Sequence, residues 1–448
     1  MIGAGADARI PAGFTYLGQF VDHDLTFDRT DVTLGENVGP AELLQARSPS
    51  LDLDSLYGAG PDDPVSERFY EADGIHLKMG RTKAVEPHPQ FDGFDLPRGA
   101  GANQRKAVIP DPRNDENLAV AQTHLAFIRF HNRVVDELPS SVPAGQRFEQ
   151  ARRTVIRHYQ WMLRTDYLPR ICQAGAVSDV FTNGRKAFEV GATPTDVPTM
   201  PLEFSVAAFR LGHSMIRQNY NWNRDFDDGA GTLDWLFIFS AGSGDLGGEP
   251  RLLSNWVADF RRLYDFSEAG RDDLTVPEAK FNRAMRIDTL ITPRLRNLPR
   301  FADAEDNLAF RNLTRAKMVA LATGQQMATF LRGKGVTLTR LTPSQVRNGR
   351  NGADLDGLTR PQRDAFLRNT PLWFYILREA ELNRGKLAGV GARIVAETFH
   401  RAMEGSRTSI VRNPAWRPTL GPSNTTFRMV DLLLFAFEGR RDLLAPLG

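Results

Sequence analysis

Residues 13–27, GFTYLGQFVDHDLTF, decide the fold, because polar residues stand here among apolar and aromatic ones. Folded as a helix, the stretch places Gln19, Asp22 and His23 on one face, while Asp24 points about 100° away. Burying an unpaired polar group costs on the order of several kcal/mol, so these side chains do not serve stability. The pattern predicts two tasks on two faces. His23 suits a neutral base beside a buried ligand, and Asp24 suits a cation ligand.

The composition is that of an ordinary folded protein, with 448 residues, 41% hydrophobic and 25% charged. The formal net charge of +2 gives no support for nucleic-acid binding. The sequence contains no run of about 18 apolar residues, so it predicts no membrane-spanning helix. The length allows two or three domains, but no linker-like segment divides the chain, and we predict a single domain over 1–448. The single cysteine, Cys172, excludes an intrachain disulfide framework and a cysteine-based metal cluster.

The spacing of apolar residues predicts a mainly α-helical chain. The clearest helix spans 115–138, where Leu118, Ala121, Leu125 and Ile128 recur at helical spacing. A second helix over 146–167 is expected to stop at the following Leu-Pro pair, since proline disfavours helix in the residue before it. Further helices are predicted at 203–220, 251–264, 278–290, 306–332, 360–369 and 373–404.

A loop at 48–58, SPSLDLDSLYG, alternates oxygen-bearing residues in a turn-rich context. Calcium takes about 6–8 oxygen ligands at flexible angles, which such a loop supplies. The alternative is a solvated acidic turn.

Residues 111–116, DPRNDE, open the long helix. Arg113 and Glu116 lie three residues apart at a helix start, so both can face one pocket. A guanidinium beside a reacting group stabilises negative charge that develops there. The alternative is a capping acid with an ordinary ion pair.

Residues 209–213, FRLGH, place His213 on an apolar stripe. A lone histidine there is more often a core residue than a ligand. However, Gly212 permits the close approach of a flat cofactor, and Arg210 can meet an acidic group on it. The remaining histidines are interpreted as structural: His76, His88, His124, His131, His158 and His400.

Together these motifs resemble the animal-type haem peroxidases of the peroxidase–cyclooxygenase superfamily, over about 11–400. The resemblance implies a helical fold around a buried haem b. His23 corresponds to the distal histidine that moves the peroxide proton, and Gln19 to its halide-side neighbour. Arg113 corresponds to the distal arginine, and His213 to the axial iron ligand.

The resemblance also implies how the haem is held. Asp22 and Glu116 match carboxylates that can become ester-linked to haem methyl groups. Some members carry a methionine after the glutamate and form a sulfonium bond, which Asn117 cannot form. We therefore expect at least one ester bond, more readily at Glu116, and no sulfonium bond.

Behind the axial histidine, family members place an asparagine from an Asn-x-x-Arg pattern. The sequence NLTR at 312–315 matches that pattern. Asn312 would orient His213, and Arg210 and Arg315 would meet the haem propionates.

In the family, a calcium ion joins the aspartate after the distal histidine to a loop that ends in Tyr-Gly. The matching ligands here are Asp24, Ser48, the carbonyl of Ser50, Asp52 and Asp54. A serine is more usual at the position of Asp54, so this site carries more negative charge.

The function implied is the reduction of hydrogen peroxide and the oxidation of halide, pseudohalide or phenolic donors. One alternative is a fatty-acid dioxygenase, whose radical tyrosine would stand where this chain has Arg210. The other is a catalytically idle structural member, which loss of distal or proximal residues would mark. The donor, haem esterification, oligomeric state and compartment stay open.

Relatives carry more chain before the distal motif, so we expect the sequence to lack an N-terminal part, and no signal-peptide pattern precedes it.

Overall fold

The computed structural model describes residues 1–88, 91, 93–299, 301 and 303–448. Helices dominate and strands are few and short, which confirms the prediction of a mainly α-helical fold. The α-helices are α1 Gly13–Leu25, α2 Asp54–Tyr57, α3 Leu118–Asp136, α4 Ala144–Met162, α5 Leu168–Ile171, α6 Ala174–Asn183, α7 Leu233–Ile238, α8 Ala241–Gly244, α9 Leu308–Met318, α10 Gly324–Gly333, α11 Pro343–Asn348, α12 Arg360–Arg368, α13 Leu372–Leu382, α14 Gly389–Glu404, α15 Met429–Ala436 and α16 Arg441–Leu444. The strands are β1 Asp7–Pro11, β2 Gly80–Arg81, β3 Phe94–Asp95, β4 Asn219–Tyr220, β5 Gly231–Thr232 and β6 Arg283–Met285.

Helix α1 lies in the core and packs against α3. Phe20 of α1 stacks on Phe127 of α3, with ring centroids 4.5 Å apart. Gly13 and Gly18 let neighbouring chains approach closely, because a Cβ on either would overlap Tyr264 or Tyr167. The close packing fixes the rotation of α1, and with it the directions of its polar residues.

Helix α3 confirms the helix predicted at 115–138, with a later start. Asn117 caps it, since its side-chain oxygen accepts a hydrogen bond from the backbone N–H of Val120 at 2.9 Å. The helix packs between α1, α4 and α15 and is buried along almost its whole length.

The end predicted for the second helix is wrong. Helix α4 passes through a π-helical turn, Leu163–Tyr167, directly into α5, which contains Pro169. Proline is tolerated in the first turn of a helical segment, where its missing N–H would have no intrahelical partner. The helical path therefore continues to Ile171.

Three other predicted helices are wrong or irregular. The 203–220 segment forms a π-helical turn and a 3₁₀ helix, Ala208–Met215, followed by strand β4. The 251–264 segment holds only short 3₁₀ turns, and 278–290 holds β6. Asp259 caps one such turn through the N–H of Arg261, and β6 pairs antiparallel with β1. Pairing with a distant strand thus overrides the local helical pattern.

Two long predicted helices are each divided. The 306–332 helix becomes α9 and α10, because Thr323 caps a new helix through the N–H of Gln326. The 373–404 helix becomes α13 and α14, separated by a turn in which Arg384 and Gly385 have positive φ. The 360–369 helix is confirmed as α12.

One buried apolar cluster runs through the sequence from Ile10 to Leu444. This continuity supports the single domain over 1–448, which stays a prediction. Within the residues that the structure describes, no helix is long and apolar enough to cross a membrane.

Gly324→Ala should lower the free energy of unfolding by about 1–3 kcal/mol, as overpacking of a core does. A Cβ at Gly324 would overlap the buried ring of Tyr375. Gly333→Ala on the same helix is the matched control, because nothing lies within 4 Å of its added Cβ. Urea unfolding of both variants provides the measurement. A Gly324→Ala variant as stable as the control would contradict this packing.

Candidate active site

A cavity of about 290 Å³ lies beside α1. Helix α1 contributes Gln19, Asp22 and His23 to its wall, and the 3₁₀ helix Ala208–Met215 contributes Gly212 and His213. The structure therefore brings together residues almost 200 positions apart, which the resemblance implied. Other parts of the wall are apolar or aromatic, among them Phe209, Ile216, Phe237 and Leu308.

Asn114 holds the ring of His23 from behind. In its orientation here, the Asn114 Oδ1 accepts a hydrogen bond from His23 Nδ1–H at 2.9 Å. The other end of the amide donates to His124 Nδ1, also at 2.9 Å. In the neutral ring, a proton on Nδ1 would leave Nε2 as the acceptor, and this Nε2 lies 3.5 Å from the Glu116 carboxylate.

Neither Asn114 nor His124 received a functional role from the sequence. The available signal was the position of Asn114 between Arg113 and Glu116. An asparagine there offers both a donor and an acceptor, which is what two facing imidazoles need. The pairing with His124, ten residues later, depends on how the 3₁₀ turn Pro112–Asp115 leads into α3.

His23 and Glu116 form a coupled pair. Burial by itself would lower the pKa of His23, but the hydrogen bond and charge of Glu116 raise it above its ordinary value. Burial by itself would raise the pKa of Glu116, but His23 and Arg113 hold it below its ordinary value. Both directions favour an imidazolium beside a carboxylate.

Gln19 and Asp22 complete the α1 face of the cavity. The Gln19 amide donates to Glu116 Oε1 at 2.5 Å, and its oxygen accepts from Asn117 at 2.9 Å. Burial raises the pKa of Asp22, although the charges of His23 and Arg113 oppose that rise. Both carboxylates that the resemblance links to haem therefore line one cavity.

Arg113 does not line the cavity, contrary to the expectation that it shares a pocket with Glu116. Its guanidinium binds Asp111, and Nη2 donates to the carbonyls of His23 at 3.0 Å and Thr26 at 2.6 Å. These carbonyls end α1, where a cation is favoured by the helix dipole. Here Arg113 fixes the backbone of His23 instead of facing a ligand.

On the opposite segment, His213 contacts Asn312, as the resemblance implied, but it is the amide nitrogen that faces the ring. The distance from Asn312 Nδ2 to His213 Nδ1 is 2.8 Å. Burial, followed by the charge of Arg210, lowers the pKa of His213 to about 3, so the imidazole is neutral, as metal ligation requires. Nothing lies within 4 Å of a Cβ built on Gly212, so open space borders the histidine.

Arg210 is a partly buried cation without an ion-pair partner among the described residues. It donates only to neutral oxygens, Ser205 O and Asn312 Oδ1, both at 3.0 Å. Burial, followed by the charge of Arg315, lowers its pKa to about 10. Arg315 does not line the cavity and lies 3.5 Å from the carboxylate of Asp28. An anionic group in the cavity would supply the charge that Arg210 lacks.

On the other face of α1, Asp24 is buried against the loop at 48–58. Its carboxylate accepts from the N–H of Leu53 at 3.2 Å and from the N–H and hydroxyl of Ser55 at 3.3 and 3.2 Å. Leu53 has φ +56°, a strained conformation for a buried leucine. Burial, followed by the charge of Asp54, raises the pKa of Asp24 to about 7.

The other predicted calcium ligands lie nearby but do not form a coordination shell. Asp52 accepts from Ser406 Oγ at 2.6 Å, and Asp54 lies 4.0 Å from Arg152. The Ser50 carbonyl accepts from the N–H of Asp52 at 3.0 Å, and Ser48 is exposed. In the described part of the chain, no three His, Cys, Asp or Glu side chains are arranged to hold a metal. The charges of Asp54 and Asp52 nevertheless raise the pKa of Asp24, so a cation between the three carboxylates would relieve their repulsion.

Residues 8–316 match the family model described as animal haem peroxidase. Because the match covers more than half of the chain, the protein belongs to the animal haem peroxidase family.

Named relatives are peroxidases, matched over part of their length. Thyroid peroxidase of Rattus norvegicus is 27% identical over 201 residues, which cover 42% of this chain and 21% of that protein. Peroxidase mlt-7 of Caenorhabditis elegans is 27% identical over 188 residues, which cover 41% of this chain and 24% of that protein. The matched part spans less than a quarter of either relative.

Two solved structures share the fold. Peroxidase A from Dictyostelium discoideum has a TM-score of 0.60 at 15% identity, covering 96% of this chain and 88% of that one. A fatty acid alpha-dioxygenase of Arabidopsis thaliana has a TM-score of 0.61 at 13% identity, covering 99% and 73%. The chain therefore has the helical fold common to both groups.

Asn114→Ala should lower the free energy of unfolding by about 1–3 kcal/mol, because two buried imidazole nitrogens lose their partner. It should also mix the two tautomers of His23, which ¹⁵N NMR at alkaline pH can measure. Asn114→Asp is the matched variant, since it keeps an acceptor for His23 Nδ1–H. If Asn114→Ala keeps the stability and the Nδ1–H tautomer of the unaltered protein, Asn114 does not hold His23.

Proposed function

We propose that the protein is a haem-dependent peroxidase that reduces hydrogen peroxide and oxidises halide, pseudohalide or phenolic donors. The observation that carries the proposal is one cavity lined by both His23 and His213. Each imidazole is held at Nδ1 by an asparagine from another segment, Asn114 and Asn312. Two oriented histidines at one cavity suit an axial ligand and a separate proton carrier.

The residues present fit haem b. His213 would ligate the iron, Arg210 would pair with a propionate, and Gly212 leaves room for the ring edge. The charge of Arg315 lowers the pKa of Arg210, so the two side chains are near each other, and Arg315 would approach the second propionate after leaving Asp28. Bound there, haem would supply the redox centre at which peroxide is reduced and donors are oxidised.

Asn312 would have to turn over for His213 to ligate iron. A histidine that ligates through Nε2 carries its proton on Nδ1 and needs an acceptor there. Asn312 instead presents Nδ2 to His213 and gives Oδ1 to Arg210. When Arg210 turns to a propionate, Oδ1 is released and the amide can rotate to accept from His213.

On the peroxide side, His23 Nε2 would take the first proton and return it to the leaving oxygen. Such general acid–base catalysis typically contributes ~10²–10⁴-fold. Glu116 opposes this task, because its charge raises the pKa of His23. An ester bond from Glu116 to the haem would remove that charge and leave His23 a neutral base. Arg113 would position His23 through its carbonyl, and its role as distal arginine stays a prediction.

We also propose calcium between Asp24 and the loop at 48–58. The cation would favour the ionised form of Asp24, whose pKa burial and neighbouring carboxylates raise. Because Asp24 directly follows His23, the ion would hold α1 from the face opposite the cavity. Asp52 and Asp54 would turn toward the ion from their present partners.

The dioxygenase and the idle structural member remain the alternatives. The dioxygenase would use a tyrosine where this chain has Arg210. The idle member is disfavoured because both histidines are present and each is held by an asparagine, His23 by Asn114 and His213 by Asn312.

Purified protein should bind haem with a Soret band that shifts when peroxide is added. His213→Ala should lose stable haem binding or change the Soret band strongly, because the axial ligand is removed. His76→Ala is the control, since His76 lies in a surface ion-pair network. Unchanged haem content and spectrum in His213→Ala would refute the ligand assignment. A haem-loaded protein that does not respond to peroxide would refute the peroxidase function.

Removal of calcium should lower the thermal midpoint and disturb the distal pocket, because Asp24 and His23 are adjacent on α1. Elemental analysis and thermal unfolding before and after chelation provide the measurement. Asp24→Asn should reproduce the loss of calcium, whereas Asp62→Asn on the exposed surface should not. Protein that contains no calcium and keeps its midpoint after chelation would contradict the site.

A further inference from the structure

A second cavity, of about 380 Å³, lies on the outer face of α4, and none of its lining residues borders the first cavity. Gln150, Arg153 and Arg157 of α4 recur at helical spacing along one wall. Trp416 and Thr419, from the segment before α15, form the opposite wall. The cavity is polar and basic, unlike the largely apolar first one.

The two walls are held together by His158. Its Nε2 accepts from the N–H groups of Thr419 at 2.9 Å and Leu420 at 3.2 Å. Its Nδ1–H donates to the carbonyl of Thr154 at 2.7 Å. The ring of Trp416 meets His158 edge-on, with centroids 5.1 Å apart. The cavity is therefore formed by fixed contacts between the helix and the distant segment.

Its two arginines have no carboxylate partner within the described residues, whereas the adjacent Arg152 lies near Asp54 and Glu149. The Nε of Arg157 is buried and makes no hydrogen bond. Burial, followed by the charge of Arg153, lowers the pKa of Arg157. Like charges one helical turn apart repel each other, so an anion between them would be bound favourably.

We propose that this cavity binds a phosphate-type oxyanion. Two guanidinium groups one turn apart can each offer a pair of N–H donors to a tetrahedral oxyanion. The amide of Gln150 and the hydroxyl of Thr419 supply neutral donors at the rim. The ligand is either free phosphate or the phosphate headgroup of a lipid, since both present the same oxygens. This proposal does not depend on haem or on peroxidase activity.

Isothermal titration of the full chain with inorganic phosphate at low ionic strength tests the proposal, because screening is weakest there. The expected result is saturable binding of one phosphate per chain. The double variant Arg153→Gln, Arg157→Gln should weaken binding by at least about tenfold, since charge-assisted pairs are lost. The double variant Arg332→Gln, Arg347→Gln is the matched control, because it removes two exposed arginines elsewhere. Its affinity should be unchanged.

Vesicles of phosphatidylcholine, with and without phosphatidic acid, distinguish the two sources. If the chain binds only the vesicles with phosphatidic acid, and the Arg153→Gln, Arg157→Gln variant weakens that binding, the ligand is a lipid headgroup. If it binds free phosphate, the ligand is a soluble phosphate. If the double variant does not fold, Arg157→Lys replaces it in the test. This variant keeps the positive charge but loses the paired N–H donors of the guanidinium, so it should bind phosphate more weakly than the unaltered chain. Absence of binding to both probes, or equal weakening by both double variants, overturns the proposal.

Discussion

The structure depends on one constraint: α1 is a buried helix that carries ionisable residues on two faces, and each face needs its own partners. His23 is held by Asn114 and contacts Glu116, while Asp24, the next residue, is held by the backbone at Leu53 and Ser55. Unpartnered, each group would cost on the order of several kcal/mol. The chain therefore brings polar segments against α1 within the core.

Arg113 holds the end of α1 at which His23 and Asp24 lie. It binds the carbonyls of His23 and Thr26 and is itself held by Asp111. The end of α1 is thus fixed where His23 and Asp24 point apart. We therefore expect the proposed calcium and the proposed proton carrier to influence each other through this helix end.

Each of the two cavities is bordered by an arginine that forms no ion pair with the residues that the structure describes. Arg210 borders the first and Arg157 the second, and neither has a carboxylate partner in the described residues. Most buried arginines of this protein do have such partners, for example Arg378 with Glu381 and Arg393 with Glu397. A partly buried guanidinium without an anion is poorly compensated, so an anionic ligand at either position would supply the missing charge.

The sequence by itself determined the helical class and the main helix α3, because residue type and spacing are local properties. That His23 and His213 meet at one cavity was implied only by the family resemblance. The sequence did not determine that β6 replaces a predicted helix, since strand pairing with β1 depends on a distant segment. The sequence also predicted that Arg113 shares a pocket with Glu116. In the structure its guanidinium instead donates hydrogen bonds to the carbonyls at the end of α1. Only the tertiary structure decided which groups Asn114 joins and that α4 and Trp416 enclose a basic cavity. Such contacts depend on the paths of intervening loops, which local spacing does not encode.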